Sequence, residues 1–385
     1  MKEDSMKKLL TISKDPKIKV SSKIETYLFP QYVYIKVEEN TNFMIKKKQV
    51  KKGEKLFKRE NKEVLSPVSG YVEGIISKKT ENNTDYYLKI QNDYEEEDSY
   101  SGVQEFSTKA LKIKFSEVLK EIGMDITKYK NKQRLILNGI EDEPYLATKA
   151  TLHKTYAKEI LSTLDLLSDT FSIPKMEIYL KENDRESIEV LSSEMGTYPN
   201  MTLEILPDFY PIGDNKILSK YLHLNEECVL VQTEEILNIY EEGVRKRIKD
   251  LTFVTFTGDA IKNPMVVKVK IGSSLNEVIK ELIDLKKGPY EIILNGLMKG
   301  RKIQEDYIID ESTRAIYFMK QRNDIEKPCI ACGKCIDVCP FHCNPYRAYL
   351  TNSQVVDEKC MSCGLCTFIC PSYIKLENYI KGDRR

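Results

Sequence analysis

Cys329-Ile-Ala-Cys332-Gly-Lys-Cys335-Ile-Asp-Val-Cys339-Pro340 and, after a spacer, Cys360-Met-Ser-Cys363-Gly-Leu-Cys366-Thr-Phe-Ile-Cys370-Pro371 repeat one pattern, C-x2-C-x2-C-x3-C-P. Nine of the ten cysteines of the 385-residue chain lie in this last sixth. Three thiolates two residues apart wrap one corner of a cuboidal 4Fe-4S cluster. The fourth, displaced by three residues and turned by proline, points to a partner cluster. Ligation then crosses over: Cys329, Cys332, Cys335 and Cys370 hold one 4Fe-4S cluster, and Cys360, Cys363, Cys366 and Cys339 hold the other. A pair of zinc knuckles would also use CxxC pairs, but explains neither the third cysteine nor the proline of each run. With every iron bonded to a protein thiolate, no position stays open for substrate. The pattern therefore predicts one-electron relay, and no catalytic residue is assigned.

Composition bounds the remainder. Lysine plus arginine (60) nearly balances aspartate plus glutamate (59), so no strongly basic surface argues for nucleic acid. The N-terminus, Met1-Lys-Glu-Asp-Ser-Met-Lys-Lys, mixes charges of both signs and lacks the apolar core of a signal peptide. No apolar run reaches transmembrane length. Cysteines that must stay reduced to ligate clusters place the chain in the cytoplasm.

Upstream, the alternation of Tyr32-Val-Tyr-Ile-Lys-Val37, the turn at Gly53 and the Ser66-Pro-Val-Ser-Gly70 turn resemble the barrel-sandwich fold of lipoyl and biotinyl domains over 25–95. A lipoyl lysine belongs at a hairpin tip, and Lys62 stands too near Ser66-Pro67, so a packing or docking module is expected. The acidic run Tyr94-Glu-Glu-Glu-Asp98 and Ser101-Gly102 read as a linker. Over 110–250, helical spacing at Phe115–Ile122, Tyr145–Leu167 and Ser187–Met195 alternates with short apolar strands at Arg134–Leu137, Met176–Leu180, Thr202–Ile205 and Cys228–Gln232. That alternation predicts a parallel sheet flanked by helices. Ligands of such sheets sit beyond the carboxyl ends of strands, here Asn138-Gly-Ile-Glu141-Asp-Glu143-Pro-Tyr145. Over 251–320, strands at Leu251–Phe256, Met265–Ile271 and Tyr290–Leu294 with a helix at Leu275–Leu285 suit a β-grasp module. A link near Gln321–Pro328 leads to a ferredoxin-type domain over 325–385, and 1–24 is an N-terminal extension.

This order of parts resembles the C subunit of the Rnf electron-transport complex and, more distantly, the flavoprotein subunit of respiratory complex I and the A subunit of the sodium-pumping quinone reductase. The marks are Ser66–Gly70, Asn138–Tyr145, Leu206-Pro-Asp-Phe-Tyr-Pro-Ile-Gly213, Thr257-Gly-Asp-Ala-Ile-Lys-Asn-Pro264 and Asn295-Gly-Leu-Met-Lys-Gly300. The resemblance implies an α/β multidomain fold: a barrel-sandwich hybrid, a Rossmann-like α/β domain, a β-grasp (SLBB-like) domain and a two-cluster ferredoxin domain. It also implies that Asn138, Glu141 and Glu143 would face the isoalloxazine or ribityl region of FMN. Members that oxidise NADH carry a glycine-rich loop before the strand leading to Asn-Gly. Here Gly123-Met-Asp-Ile-Thr-Lys-Tyr-Lys-Asn-Lys-Gln-Arg134 has no glycine after Gly123, although close approach to phosphate needs glycine or free N–H groups. The family's Asn-Val-Gly-Thr is replaced by Gln232-Thr-Glu-Glu235, whose carboxylates repel phosphate. The flavin residues therefore read as a vestige, and neither FMN nor NADH is expected to bind.

The expected role is an electron-transfer component of an oxidoreductase system. It would take electrons from a partner flavoprotein or carrier and pass them to a partner reductase, proline reductase among the candidates the resemblance suggests. An NADH-oxidising, flavin-containing subunit of a membrane-associated Rnf-type complex, peripheral at the cytoplasmic face, is the alternative. An assembly protein with structural clusters is a third. Cys343, beside one cluster, and Cys228, in an apolar strand, are the two cysteines outside the ligand sets. His153, His223 and His342 form no metal or triad set.

Overall fold

The computed structural model describes residues 18–38, 41, 48–59, 62–79, 84–95, 109–321, 325–351, 355–356 and 358–381. The N-terminal charge pattern up to residue 17 and most of the linker lie outside these residues.

The architecture is mixed α/β, built on several sheets. An N-terminal β module pairs Tyr32–Val37, Thr84–Asn92, Gly70–Lys79 and Gln49–Val50 in one sheet, with the hairpin Lys55–Arg59/Lys62–Leu65 beside it. Val33, Leu56, Phe57, Val68 and Ile90 form its core.

The middle unit opens with α1 (Lys109–Glu121), whose Phe115, Val118 and Leu119 are buried, and continues through β1 (Arg134–Asn138), α2 (Thr148–Phe171), β2 (Lys175–Lys181), α3 (Arg185–Glu194), β3 (Met201–Leu206), α4 (Asn215–Tyr221), β4 (Cys228–Gln232) and α5 (Thr233–Ile239). The strands pair in parallel in the order β3-β2-β1-β4. Apolar residues of β1 bury both faces of the sheet, Leu135 and Leu137 on one side and Ile136 on the other. Asp184 caps α3 through Ser187 N at 3.3 Å, and Asp214 caps α4 through Lys216 N at 2.9 Å. α2 starts at Thr148 rather than at Tyr145, because Tyr145 sits at φ 63 in the left-handed region.

The third unit is a six-stranded sheet in the order Ile24–Tyr27, β6 (Met265–Lys270), β5 (Leu251–Thr257), β9 (Ala315–Lys320), β7 (Tyr290–Leu294) and β8 (Arg301–Ile303), packed on α6 (Leu275–Leu282). Ile24–Tyr27, which straddles the expected bounds of the N-terminal extension (1–24) and the barrel-sandwich module (25–95), pairs in parallel with β6 and so belongs by hydrogen bonding to the later sheet. The N-terminal module docks through Tyr34 N on Gly272 O at 2.9 Å and through Asp250, which accepts Lys52 at 3.2 Å and the buried Lys270 at 2.9 Å. Among the described residues no helix is long and apolar enough to cross a membrane.

Candidate iron-sulfur and flavin sites

Each cysteine run folds into a loop ending in one helical turn, Lys334–Asp337 in the first and Leu365–Phe368 in the second. The two loops share their backbone course. Ala331 and Gly333 in the first, and Ser362 and Gly364 in the second, have φ of 53, 74, 51 and 79, and His342 and Tyr373, each three residues past the last cysteine, have 56 and 55. These left-handed turns curl each C-x2-C-x2-C run back on itself. Lys327 N on Ser372 O (2.9 Å) and Ser372 Oγ on Pro328 O (3.0 Å) tie the start of one run to the end of the other.

The thiols form two quartets, each taking three members from one run and one from the other. Cys335 lies within electrostatic reach of Cys370, Cys329 and Cys332. Cys363 is within reach of Cys339 and Cys360, and Cys366 of Cys363 and Cys360. The second quartet lines one cavity with Phe341 and Leu365. Burial pushes the Cys363 thiol up to about 11 and Cys366 up to about 12, so holding those two as thiolates requires a compensating cationic group. Among the described residues no three His, Cys, Asp or Glu side chains converge to hold a single metal ion. Thiols spaced around a cavity suit the corners of a cuboidal cluster, and the residues present fit 4Fe-4S groups. Such a group would supply one-electron chemistry.

The quartets differ in surroundings. The Cys339/Cys360/Cys363/Cys366 set is inner: Tyr210 donates its hydroxyl to Cys363 O at 2.6 Å, and Tyr210 and Met298 pack on Leu365. The Cys329/Cys332/Cys335/Cys370 set is outer, with Cys332 exposed and Ile330, Phe368 and Tyr373 exposed near it.

The loop after β1 is the second candidate site, and it knots three parts of the chain. Asn138 donates Nδ2 to Gly213 O (2.8 Å) and Asn215 Oδ1 (2.7 Å), and its Oδ1 accepts from Ile140 N (3.1 Å). Glu141 accepts from Lys149 N at 2.6 Å, capping α2. Asp142 accepts Arg314 Nη1 on both oxygens, at 2.8 and 2.9 Å. Glu143 Oε2 accepts from Met298 N at 3.0 Å, and Tyr317 donates its hydroxyl to Pro144 O at 2.8 Å. Burial pushes Glu141 and Glu143 each up to about 7. Burial would raise Asp142 also, but Arg314, Lys149 and Lys299 outweigh it and hold its carboxyl below the usual range.

A family model described as the Nuo51 FMN-binding domain matches residues 120–233, and one described as a 4Fe-4S dicluster domain matches residues 321–371. Among curated proteins the chain is similar to the C subunit of the Na(+)-translocating ferredoxin:NAD(+) oxidoreductase complex of Acetobacterium woodii, 29% identical over 55% of this chain and 51% of the relative. It is similar also to the C subunit of the ion-translocating oxidoreductase complex of Rhodobacter capsulatus, at 24% over 55% and 44%. The C subunit of the proton-translocating ferredoxin:NAD(+) oxidoreductase complex of Clostridium ljungdahlii is 27% identical over 54% and 49%. The chain is a divergent homologue of the Rnf C subunits. It spans about half the length of the curated relatives it matches. Among solved structures, a chain of an NAD+-reducing NiFe hydrogenase in the air-oxidized state aligns over 60% of this chain and 51% of that chain, at 15% identity and a TM-score of 0.48.

In this Rnf C homologue the FMN-type domain is present, but its phosphate side is filled. Where a glycine-rich loop would open, the turn Ile126–Tyr129 buries Ile126 and Tyr129, and the Tyr129 ring stacks on Phe171 at 5.2 Å. Tyr129 OH donates to Glu235 at 3.2 Å, and Lys128 pairs with the same carboxylate. Thr233 is hydrogen-bonded to the buried His153 at 2.9 Å, and Glu234 Oε2 is buried with no partner among the described residues. An FMN phosphate would meet carboxylates and a packed tyrosine there, and Asn138 has both ends of its amide engaged. The residues present do not fit the phosphate of FMN. Arg314, Tyr210 and Met298, which anchor the loop and the inner quartet, escape a sequence reading. Tyr210 and Met298 lie inside quoted marks, but nothing local shows what they touch.

Proposed function

We propose that this Rnf C homologue is an electron-transfer protein that relays single electrons through two 4Fe-4S clusters. Cys329, Cys332, Cys335 and Cys370 would ligate the outer one, and Cys360, Cys363, Cys366 and Cys339 the inner one. The observation that carries the reading is the pair of crossed thiol quartets, one of which reaches the surface at Cys332. The donor would be a flavoprotein or reduced carrier and the acceptor a reductase, with proline reductase one candidate acceptor. The three upstream units are read as a barrel-sandwich hybrid, a Rossmann-like domain and a β-grasp domain, with the strand Ile24–Tyr27 joined to the last of them. Their role is to hold the ferredoxin-type domain and present it to partners, in the cytoplasm or at the cytoplasmic face of an Rnf-type membrane complex.

The match to an FMN-binding domain favours a second reading, direct NADH oxidation through bound flavin. An anaerobic visible spectrum before and after NADH separates the two. Cluster absorbance bleached by dithionite and unchanged by NADH is the expected result. Flavin bands bleached rapidly by NADH would replace the relay reading with the second.

A further inference from the structure

Because the two cysteine runs share their backbone course, positions equally distant from the proline-turned cysteine are equivalent. Cys343 follows Cys339 by four residues, and Ile374 follows Cys370 by four. Both are buried, at 2% and 0% exposure. They differ in one chemical respect: the thiol can donate a hydrogen bond and the isoleucine cannot.

Cys343 is placed to use that difference. Its backbone N–H donates to Cys339 Sγ at 3.3 Å, and its buried side chain packs in one cluster with Cys339, Cys360 and Cys363. Its side chain lines the cavity bounded by the inner quartet. Reduction of a cluster adds one electron, and the added charge spreads onto the ligand sulfurs. A donor fixed on one of those sulfurs stabilises the reduced form more than the oxidised form. We propose that Cys343 is a positioning residue that raises the reduction potential of the inner cluster through a thiol hydrogen bond to Cys339, while Ile374 leaves the outer cluster without that support. One electron enters from the reductant, no bond is broken, and Cys343 keeps its proton. Glu377 borders the same cavity with Oε2 unpartnered among the described residues and opposes the added charge. It is left intact in every variant below.

The inference rests on the two-cluster reading, and its test separates the two. The reconstituted full chain is titrated with dithionite and followed by electron paramagnetic resonance in the parent, Cys343→Ala, Cys343→Ser and Ile374→Cys. In Cys343→Ala one potential falls, shifting that reduction equilibrium by about tenfold, or about 59 mV for one electron, while the other stays. Cys343→Ser, which keeps a donor, retains at least half of the shift. In Ile374→Cys the other potential rises, a gain that does not depend on how well the alanine variant folds. Two cluster signals with unchanged potentials in both Cys343→Ala and Ile374→Cys would overturn the inference. So would loss of iron from the inner site in Cys343→Ala, which would make Cys343 a ligand. A parent chain that assembles no pair of clusters would instead overturn the relay reading.

Discussion

Glu143 keeps one carboxylate oxygen on the Met298 N–H, while the other, Oε1, is buried without a partner among the described residues. Burial raises its pKa, and that of Glu141, from 4.5 to about 7. Between those values the native chain holds protons that the unfolded chain has released. The stability these two groups contribute is therefore fully present below the unfolded pKa and is lost as pH rises through the folded one. Glu143→Gln should flatten that pH dependence and stabilise the chain at pH 8 by about 1–3 kcal/mol. Anaerobic thermal melts at pH 5 and 8 check this, and a variant no more stable than the parent at pH 8 would contradict it. The proposed cluster ligands give a sharper expectation. Cys370→Ala should remove the cluster of the other run, leaving about half the iron and the signal of the Cys360/Cys363/Cys366 set. Iron analysis with paramagnetic resonance decides, and loss of the Cys360-side signal would sink crossed ligation. The cysteines were legible because their chemistry is written in local spacing. Asn138, Glu141 and Glu143 were legible only as a motif. Their letters suggested a flavin remnant, whereas their hydrogen bonds go to Gly213, Lys149 and Met298.

The loop after β1 and the Asn295–Gly300 turn fasten the units together. Gly296 stands at φ 148, and a Cβ there would overlap the Glu143 carboxyl; Gly364 stands at φ 79, and a Cβ there would overlap the Met298 carbonyl oxygen. Each glycine allows an approach that another residue would block. Gly364→Ala should loosen the inner cysteine run from this turn while leaving the β3-β2-β1-β4 sheet intact. Hydrogen exchange should rise near Met298 and Cys363 and stay unchanged in β1; uniform protection would argue against this contact as an anchor. Asp142→Ala strands the Arg314 guanidinium, and because that side chain keeps some access to water the cost should be about 1–3 kcal/mol, read from denaturant melts. Strands such as Arg134–Asn138 and Lys175–Lys181 could be read from apolar runs because burial on both faces writes itself into consecutive residues. The Asp142–Arg314 pair could not be read, because its partners are far apart in sequence and neither carries a local mark.

At the scale of the molecule, the thiol loops are expected to depend on bound metal for their order, and the upstream sheets are not. The apolar side chains that the thiol loops bury are Val338, Phe341, Ala348, Leu365, Ile374, Leu376 and Ile380, a smaller core than that of the six-stranded sheet. Removing iron with a chelator should therefore collapse protection over 325–381 while the six-stranded sheet, with Phe256, Val267, Ile316 and Phe318 in its core, keeps its own. Hydrogen exchange with and without chelator tests this, and equal protection in both would show that the thiol loops fold without metal. The changes of periodicity along the chain were legible, but the sheet that Ile24–Tyr27 joins was not. Ile24-Glu-Thr-Tyr27 carries no alternation that marks a strand, and nothing in four residues names a partner so far downstream.

That strand also sets a schedule for synthesis. Ile24 pairs with Val266, about 240 residues downstream, so the ribosome releases one edge of the sheet long before the other. The cost of closing so long a loop grows only slowly with its length. The delay is in time: Ile24–Tyr27 must wait as an unpaired strand until β6 emerges. A nascent chain halted before that point would carry an open β edge, available to chaperones or to a neighbouring nascent chain.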